Sequence, residues 1–476
     1  MKTFVENYLK DNKSYFKEVS SYIYHHPETR FEEYSSSEFL ANECERQGFT
    51  VERNVANIET AFTATYGSGA PVIGFLGEFD ALSGLSQEPN ETTYKPLERD
   101  VGHGCGHNLL GTGAFAGACA VKKYLEENNI SGTVKFFGCP GEEGGSGKTF
   151  MVREGVFDSV DAALTWHPSP ANAIMSLSSL ANYQVKFRFR GTSAHAANAP
   201  HLGRSALDAV ELMNSGVNYL REHVIPEARM HYAVTNTGGI SPNVVQANAE
   251  VLYLIRAPKV HQVDEIYQRI LKIAEGAAMM TETEVTIEFD KACSNYIQNR
   301  QLEKILHDSL QDIGSHTPTD SEEEFAKQIW STLTDAEQEN YLDPMKGFGY
   351  IGDGSEFAGK YLADSISPYH ESQEILAGST DVADVSWVVP TAQLTAATSA
   401  LGTSLHTWQM TTQGLSEFAN KGLLRAAGSM ALAGIKLVES EEALMKVNQE
   451  FKDFREKNSY TCPIPDGVYP STLNER

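Results

Sequence analysis

The sequence lacks the features that would place it in a membrane or in a secreted, disulfide-bonded class. No apolar run approaches the ~20 residues needed to span a bilayer, and residues 1–24 carry charges throughout instead of the apolar centre of a signal peptide. Six cysteines in 476 residues show no framework spacing, which indicates a reducing compartment. We therefore expect a cytoplasmic protein with no membrane partner.

Basic residues are also scarce. The chain has 38 Lys and Arg against 63 Asp and Glu, a formal net charge of −25 at pH 7. Such an excess of negative charge argues against nucleic acid and anionic lipid as partners. Internal repeats, low-complexity tracts and the Gly-x-Ser-x-Gly signature of serine hydrolases are absent as well; Ser146 sits in Gly-Gly-Ser-Gly instead. No covalent acyl-enzyme is required by any motif.

Strand-like and helix-like runs alternate through the first part of the chain. Apolar, β-rich runs at 62–66, 71–76 and 134–137 surround a small-residue helix predicted at 109–127. This alternation predicts an α/β fold with a mostly parallel sheet and helices on both faces. Because 476 residues exceed what one core usually organises, we expect two domains.

The pattern changes between residues 181 and 292. Strands and helices there follow the order βαββαβ, which is the ferredoxin-like unit. We therefore predict a catalytic domain built from residues 1–180 and 293–476, interrupted by an inserted domain at 181–292.

The first chemical motif is His-Gly-Cys105-Gly-His107-Asn. In a glycine-flanked loop both side chains can turn toward one point, although on a helix this spacing would separate them. Cys105 and His107 are therefore candidate ligands of a divalent ion, and the start of the helix that follows is expected to favour the Cys105 thiolate. A buried cysteine beside a helix-capping histidine fits this segment equally well when it is taken alone.

The second motif follows the strand predicted at 133–137. Adjacent Glu142 and Glu143, bracketed by glycines, are expected at the carboxyl edge of the sheet, where open α/β sheets keep their sites. One carboxylate can bind a metal while the other accepts a proton from water. An acidic solvated turn is the alternative. A phosphate-binding loop ending at Lys148 and Thr149 is disfavoured by its spacing and by the two carboxylates.

Two further histidines are ambiguous on their own. His167 follows a short apolar run at 160–166, so we expect it at the end of a strand, and His406 lies in Leu-His-Thr-Trp near residue 405. With 14 histidines in the chain, position alone does not identify either as a ligand.

The ordered motifs HGCGHN, PGEEGGSG, TWHP, GTSAHAAN and LHTW resemble the amidohydrolase branch of the dimetal aminoacylase and carboxypeptidase family, and the resemblance runs nearly end to end. It implies a zinc-peptidase-like sheet and an inserted lid or dimerisation domain. It also implies a general base, Glu142, and one or two divalent ions, Zn or Mn, held by five ligands: Cys105, His107, Glu143, His167 and His406. Thiolate and imidazole suit zinc, whereas carboxylate and water suit manganese.

The resemblance further implies roles in the inserted domain. Arg256 and Asn243 would hold a substrate carboxylate, and His195 would reach across a dimer to the carbonyl oxygen of the scissile bond. Without the resemblance, Arg256 would be interpreted as a salt-bridged edge residue, and His195 and Asn243 as loop residues.

The implied activity is hydrolysis of the amide bond in a small N-acyl amino acid. Two stretches, 148–157 and 201–208, narrow the resemblance to the members that act on p-aminobenzoyl-glutamate or related folate breakdown products. We expect a homodimer or a heterodimer with a related subunit. The alternative is a non-catalytic or regulatory partner subunit of a related amidohydrolase, against which the complete ligand set and Glu142 argue.

Three other segments are less specific. Asp80 is expected to orient a ligating imidazole. Asp384 is expected either to orient a ligand or substrate or to cap a helix. The glycine-rich segment 347–354 is expected to be a mobile loop near the site, and the role of 317–375 is otherwise open.

Overall fold

The computed structural model describes residues 1–473. The strands are β1 (Thr50–Arg53), β2 (Phe62–Ser68), β3 (Val72–Glu78), β4 (Leu82–Ser83), β5 (Val101–Gly102), β6 (Gly132–Cys139), β7 (Ala162–Ser169), β8 (Ala173–Ile174), β9 (Ser178–Ser179), β10 (Ala181–Arg190), β11 (Arg229–Asn236), β12 (Asn248–Ala257), β13 (Glu284–Cys293), β14 (Ile375–Leu376) and β15 (Thr391–Ala397). The helices are α1 (Lys2–Asp11), α2 (Lys13–His25), α3 (Tyr34–Arg46), α4 (His107–Asn128), α5 (Glu142–Gly145), α6 (Gly147–Arg153), α7 (Ala206–Leu220), α8 (Val260–Thr281), α9 (Arg300–Ile313), α10 (Asp320–Trp330), α11 (Asp335–Glu339), α12 (Asp343–Lys346), α13 (Val382–Val388), α14 (Trp408–Gln413), α15 (Glu417–Glu439) and α16 (Glu441–Arg455).

The larger sheet has the strand order β1-β2-β6-β3-β7-β15-β8. Its four central strands, β6, β3, β7 and β15, are parallel, and the outer strands pair antiparallel. The parallel strands are apolar on both faces because each face is covered: Phe136 packs into one core and Phe137 into the other. The predicted α/β class with a mostly parallel central sheet is confirmed.

Helix α4 lies against the centre of this sheet. A Cβ at Gly111 would come within 2.5 Å of the carbonyl oxygen of Glu78, so a glycine is required for the helix to approach β3 this closely. The close packing places the start of α4, with His107, beside the carboxyl end of β3. Small residues in the predicted helix therefore position the site.

The second sheet is antiparallel, with the order β11-β12-β10-β13. It follows the chain order β10-α7-β11-β12-α8-β13, as the βαββαβ pattern predicts. Helices α7 and α8 pack together and cover one face, where alternate residues of β10 such as Val185 and Phe187 are buried. The division of the chain at residues 181 and 292 stays a prediction.

Within residues 1–473, none of the helices combines the length and the apolar character that crossing a membrane would demand.

Candidate active site

The candidate site lies at the carboxyl edge of the parallel strands. Five predicted residues meet there: Cys105, His107, Glu143, His167 and His406, which we call the five-residue cluster. One ligand atom from each of Cys105, His107 and His167 lies within 4.8 Å of the others, and the same holds for Cys105, Glu143 and His406. Cys105 belongs to both groups and therefore lies at the centre.

The loop before α4 positions Cys105 and His107. Gly106 between them has φ +76°, and a Cβ there would meet Met410 and Pro168 at 2.9 and 3.0 Å. Only glycine can therefore make this turn without displacing its neighbours. The Cys105 sulfur lies 3.5 Å from Nε2 of His167.

His107 is oriented by Asp80. Its Nδ1 lies 2.8 Å from Asp80 Oδ1, which makes Nδ1 the protonated nitrogen. Nε2 is buried and has no hydrogen-bond partner among residues 1–473. Nε2 also lies 3.4 Å from Glu78 Oε2, and although burial opposes it, Cys105 and Asp80 raise the pKa of His107 well above its usual range. A buried imidazole whose one nitrogen is bound to a carboxylate while the other faces further donors is the usual arrangement of a histidine that binds a metal, which would replace the proton on Nε2. The expected role of Asp80 in orienting an imidazole is therefore supported by its contact.

Asp80 also fixes the loop that carries the two glutamates. Its Oδ2 accepts a hydrogen bond of 2.7 Å from the backbone nitrogen of Glu143. Glu143 Oε1 in turn lies 3.1 Å from Nε2 of His406. His406 has a φ of 60°, and its backbone nitrogen donates a hydrogen bond to the carbonyl oxygen of Gly104. Although burial opposes it, the hydrogen bond from His406 lowers the pKa of Glu143 to about 2.

His167 lies within β7, which continues two residues beyond it, and not at the end of the strand as expected. Its Nδ1 lies 2.8 Å from the carbonyl oxygen of Pro168, which leaves Nε2 toward Cys105. Burial, together with the charge of His107, lowers the pKa of His167 to about 4, so the ring is neutral. The ring of Phe348 stacks on it at 5.1 Å, which brings the segment 347–354 to the site.

Glu142 faces a different set of groups. Burial and the carboxylates of Glu78 and Glu143 raise its pKa well above its usual range. Carboxylate oxygens of Glu142 and Glu78 lie within 4.8 Å of a ring nitrogen of His107 and of each other. A carboxyl group with a raised pKa beside a cluster of candidate metal ligands is suited to accept and return a proton.

Glu78 and its partner Lys148 also belong to the site, although none of the sequence motifs indicates them. Lys148 is buried, and its ammonium lies 2.8 Å from Glu78 Oε1 and 2.5 Å from Asp381 Oδ1. Two carboxylates therefore neutralise the lysine that a phosphate-binding loop would require. The available signal was the position of Glu78, at the last residue of an apolar strand and two residues before Asp80.

Two expectations differ from the structure. Asp384 does not cap a helix: it lies inside α13 and accepts hydrogen bonds from Thr149, Ser294 and Tyr460, and its role in orienting a ligand or the substrate stays a prediction. The Cys105 thiolate, which the start of α4 was expected to favour, is disfavoured in the folded chain, because burial and the Glu143 carboxylate raise the pKa of this thiol well above its usual range.

The inserted sheet brings Arg256 toward the site but leaves His195 and Asn243 apart from it. Nη1 of Arg256 donates to Ser379 Oγ at 3.1 Å. Burial lowers the pKa of Arg256, and the Glu142 carboxylate offsets part of this effect. The Nδ1 of His195 accepts hydrogen bonds from the backbone of Ala197 and Asn198, at an exposed turn. The adjacent loop with Asn243 is bonded to the backbone of Ala196.

Comparison with known proteins agrees with this geometry. Residues 74–360 match the model of Peptidase family M20/M25/M40. The chain is 52% identical to the B subunit of p-aminobenzoyl-glutamate hydrolase from Escherichia coli (strain K12), over 99% of this chain and 98% of that protein. It is also 27% identical to the Xaa-Arg dipeptidase of Mus musculus, over 91% of this chain and 88% of that protein.

Solved structures share the fold. An aminobenzoyl-glutamate utilization protein from Klebsiella pneumoniae superposes with a TM-score of 0.56 at 15% identity, covering 88% of this chain and 98% of that one. A dinuclear metal-binding peptidase of the M20 family from Bacillus subtilis superposes with a TM-score of 0.52 at 15% identity, covering 90% and 99%. The family resemblance of the motifs is thus confirmed, and the chain belongs to Peptidase family M20/M25/M40 as a metal-dependent hydrolase.

Proposed function

We propose that this hydrolase cleaves the amide bond of p-aminobenzoyl-glutamate or a closely related N-acyl amino acid. The observation that carries the proposal is the 52% identity, over nearly the whole of both chains, to a protein named for that substrate. The site supports it, because thiolate, imidazole and carboxylate donors converge beside a separate glutamate that can move a proton.

The five-residue cluster holds one or two divalent ions, Zn or Mn. The donor set fits such ions: the buried Nε2 of His107 makes no hydrogen bond in the described part of the chain, and the neutral ring of His167 offers a lone pair. When bound, divalent ions polarise a carbonyl oxygen and lower the pKa of water.

Glu142 is the general base. It accepts a proton from the attacking water and returns it to the nitrogen of the leaving amine. Arg256 binds the free carboxylate of the substrate, since a guanidinium matches a carboxylate with two parallel hydrogen bonds. Asn243, which lies in the loop beside His195, binds this carboxylate from the same second chain as His195.

His195 stabilises the developing oxyanion, and it does so from a second copy or a related chain. Its position at an exposed turn, away from the cluster of its own chain, supports this assignment. The name of the Escherichia coli relative, which describes one subunit of a hydrolase, supports a partner of the related kind. All six cysteines are free, which supports a cytoplasmic location.

The test is turnover by metal-depleted protein refilled with Zn or Mn. Release of p-aminobenzoate should return with metal, alone or after addition of the related chain. A metal-replete protein that stays inactive under both conditions would identify a non-catalytic partner and contradict the proposal.

A mixing experiment tests the role of His195. Glu142→Gln and His195→Ala should each be inactive as pure proteins. Co-expressed, they should regain part of the activity, because mixed dimers contain one site with both residues intact. Absence of recovery in demonstrated mixed dimers would place His195 outside the partner's site.

A further inference from the structure

Arg256 is a half-buried cation without a carboxylate partner. Within residues 1–473 its single side-chain hydrogen bond goes to the neutral hydroxyl of Ser379, and its Nε is buried and unpartnered. Burial lowers its pKa. A guanidinium in this state has donors available for an anion that the protein itself does not supply.

A second such cation lies on the same face of the inserted sheet. Lys291 is 7% exposed, and its ammonium donates to the amide oxygen of Asn182 at 3.1 Å, its one side-chain hydrogen bond in the described chain. Burial lowers the pKa of Lys291, and the positive charges of Arg256 and Arg30 lower it further. Lys291 and Arg256 are therefore close enough for the charge of one to affect the pKa of the other.

The register of the strands explains this proximity. Arg256 of β12 pairs with Asn182 of β10, which pairs with Cys293 of β13, and Lys291 pairs with Gln184. Paired residues and residues two apart share a face, so all these side chains lie on the face opposite α7 and α8. Strands two places apart are separated by about 10 Å. The side chains of arginine and lysine are long, so their charged groups can lie closer together than the strands.

The nearby acidic groups are already engaged. Asp290 pairs with Arg30 at 3.1 Å and also accepts bonds from Gln184 and Ser471. The Cys293 thiol is neutral, since burial raises its pKa to about 12. Neither group neutralises Lys291 by an ion pair.

We propose that Lys291 binds a second carboxylate of the substrate, the side-chain carboxylate of a glutamyl group whose α-carboxylate is bound by Arg256. The inference rests on the proposed function and narrows it to N-acyl dicarboxylic amino acids. Two desolvated, unpaired cations raise the free energy of the protein without ligand. A ligand that carries two carboxylates pairs with both cations and removes this penalty. A ligand with one carboxylate leaves Lys291 unpaired.

The experiment compares p-aminobenzoyl-glutamate with p-aminobenzoyl-glutamine, which differ in one charge. Wild type should prefer the glutamate substrate in kcat/KM. Lys291→Met should lose about 30-fold or more on p-aminobenzoyl-glutamate, through KM, and little on p-aminobenzoyl-glutamine, since loss of one member of a desolvated charged pair typically has an effect of this size. Lys291→Arg should retain part of the preference.

Lys186→Met is the matched control. Lys186 lies on the same face of β10 but is paired with Glu288 at 3.3 Å, so its loss should leave the preference unchanged. Equal losses of Lys291→Met on both substrates, or a wild type without preference, would overturn the inference while leaving the proposed function intact.

Calorimetric binding of L-glutamate and L-glutamine keeps the two questions separate. If the protein cleaves neither amide, the proposed function fails. Tighter binding of glutamate that disappears in Lys291→Met would still support the subsite, and equal binding of both amino acids would contradict it.

Discussion

The ammonium nitrogen of Lys148 lies 2.8 Å from Oε1 of Glu78, and both side chains are buried. Because Lys148 also pairs with Asp381, one cation holds two carboxylates, one of which faces His107 and Glu142. Although burial opposes it, the Lys148 charge lowers the pKa of Glu78 and keeps it ionised. The segment after β6, which includes α5 and α6, thus contacts the site through Lys148 as well as through its two glutamates.

We expect Lys148→Met to destabilise the protein by about 3–5 kcal/mol, because it leaves two buried carboxylates without their partner. Denaturant unfolding followed by circular dichroism measures this. Lys123→Met is the control: Lys123 pairs with Glu126 on an exposed helix surface, so its loss should change the free energy of unfolding by less than about 1 kcal/mol. Equal effects of the two substitutions would contradict the structural role of Lys148.

Glu142→Gln should keep its metal and lose roughly 100- to 10,000-fold in kcat, because an amide cannot accept the proton of the attacking water. Glu143→Gln should instead lose metal, since its carboxylate lies with Cys105 and His406. Elemental analysis and turnover of both variants separate the two roles. A metal-replete Glu142→Gln protein with wild-type kcat would exclude Glu142 as the base.

Cys105→Ser should weaken metal binding and change its pH dependence. The raised pKa of the buried thiol means that binding of an ion must release its proton, so the affinity of wild type should rise as pH rises. The serine variant should show a shallower rise. Titration of metal-free protein at several pH values measures both slopes, and identical slopes would show that Cys105 does not bind the ion.

Arg256→Ala should damage hydrolysis of substrates with a free α-carboxylate far more than hydrolysis of their amides. Loss of one partner of a desolvated charged pair typically costs about 2–5 kcal/mol of binding free energy. The amide substrate has no such charged contact with Arg256, so it loses little. The ratio of kcat/KM values on a matched acid and amide is the readout, with metal content and thermal melting as controls. A parallel fall on both substrates would indicate a bracing role.

The Arg30–Asp290 ion pair should make the free energy of unfolding depend on pH in the acidic range. Burial would raise the pKa of Asp290, but the Arg30 charge outweighs it and lowers this pKa below its usual value. The stabilisation is therefore complete above the pKa of an unfolded aspartate, about 4, and is lost as pH falls through the lower pKa of the folded state. Asp290→Asn should be less stable at pH 7, and its deficit should shrink on acidification. A deficit independent of pH would exclude the ion pair as its source.

Local sequence pattern indicated only part of the cluster, because some of its residues occupy special positions in the chain, whereas His167 and His406 were indicated only by the family resemblance. Cys105 and His107 flank a glycine, and Glu143 follows a buried strand; such positions are visible without coordinates. Glu78 was missed because a single carboxylate at the end of a strand looks like any solvated residue until Lys148 is found beside it. The environment of Lys291 depends on the register of three strands and could not be predicted from local pattern.

His406 lies 263 residues after the glutamate it contacts, and the whole inserted sheet is synthesised between them. The chain therefore has to complete α7, α8 and the four strands of that sheet, and then emerge as far as β15 and the following loop, before the last side chain can reach the cluster. Contacts between such distant residues form late, since a long loop must close before the contact contributes any stability. A ribosome-bound chain that ends before residue 406 would thus carry an incomplete cluster, so the full set of donors marks a chain whose synthesis has passed this residue.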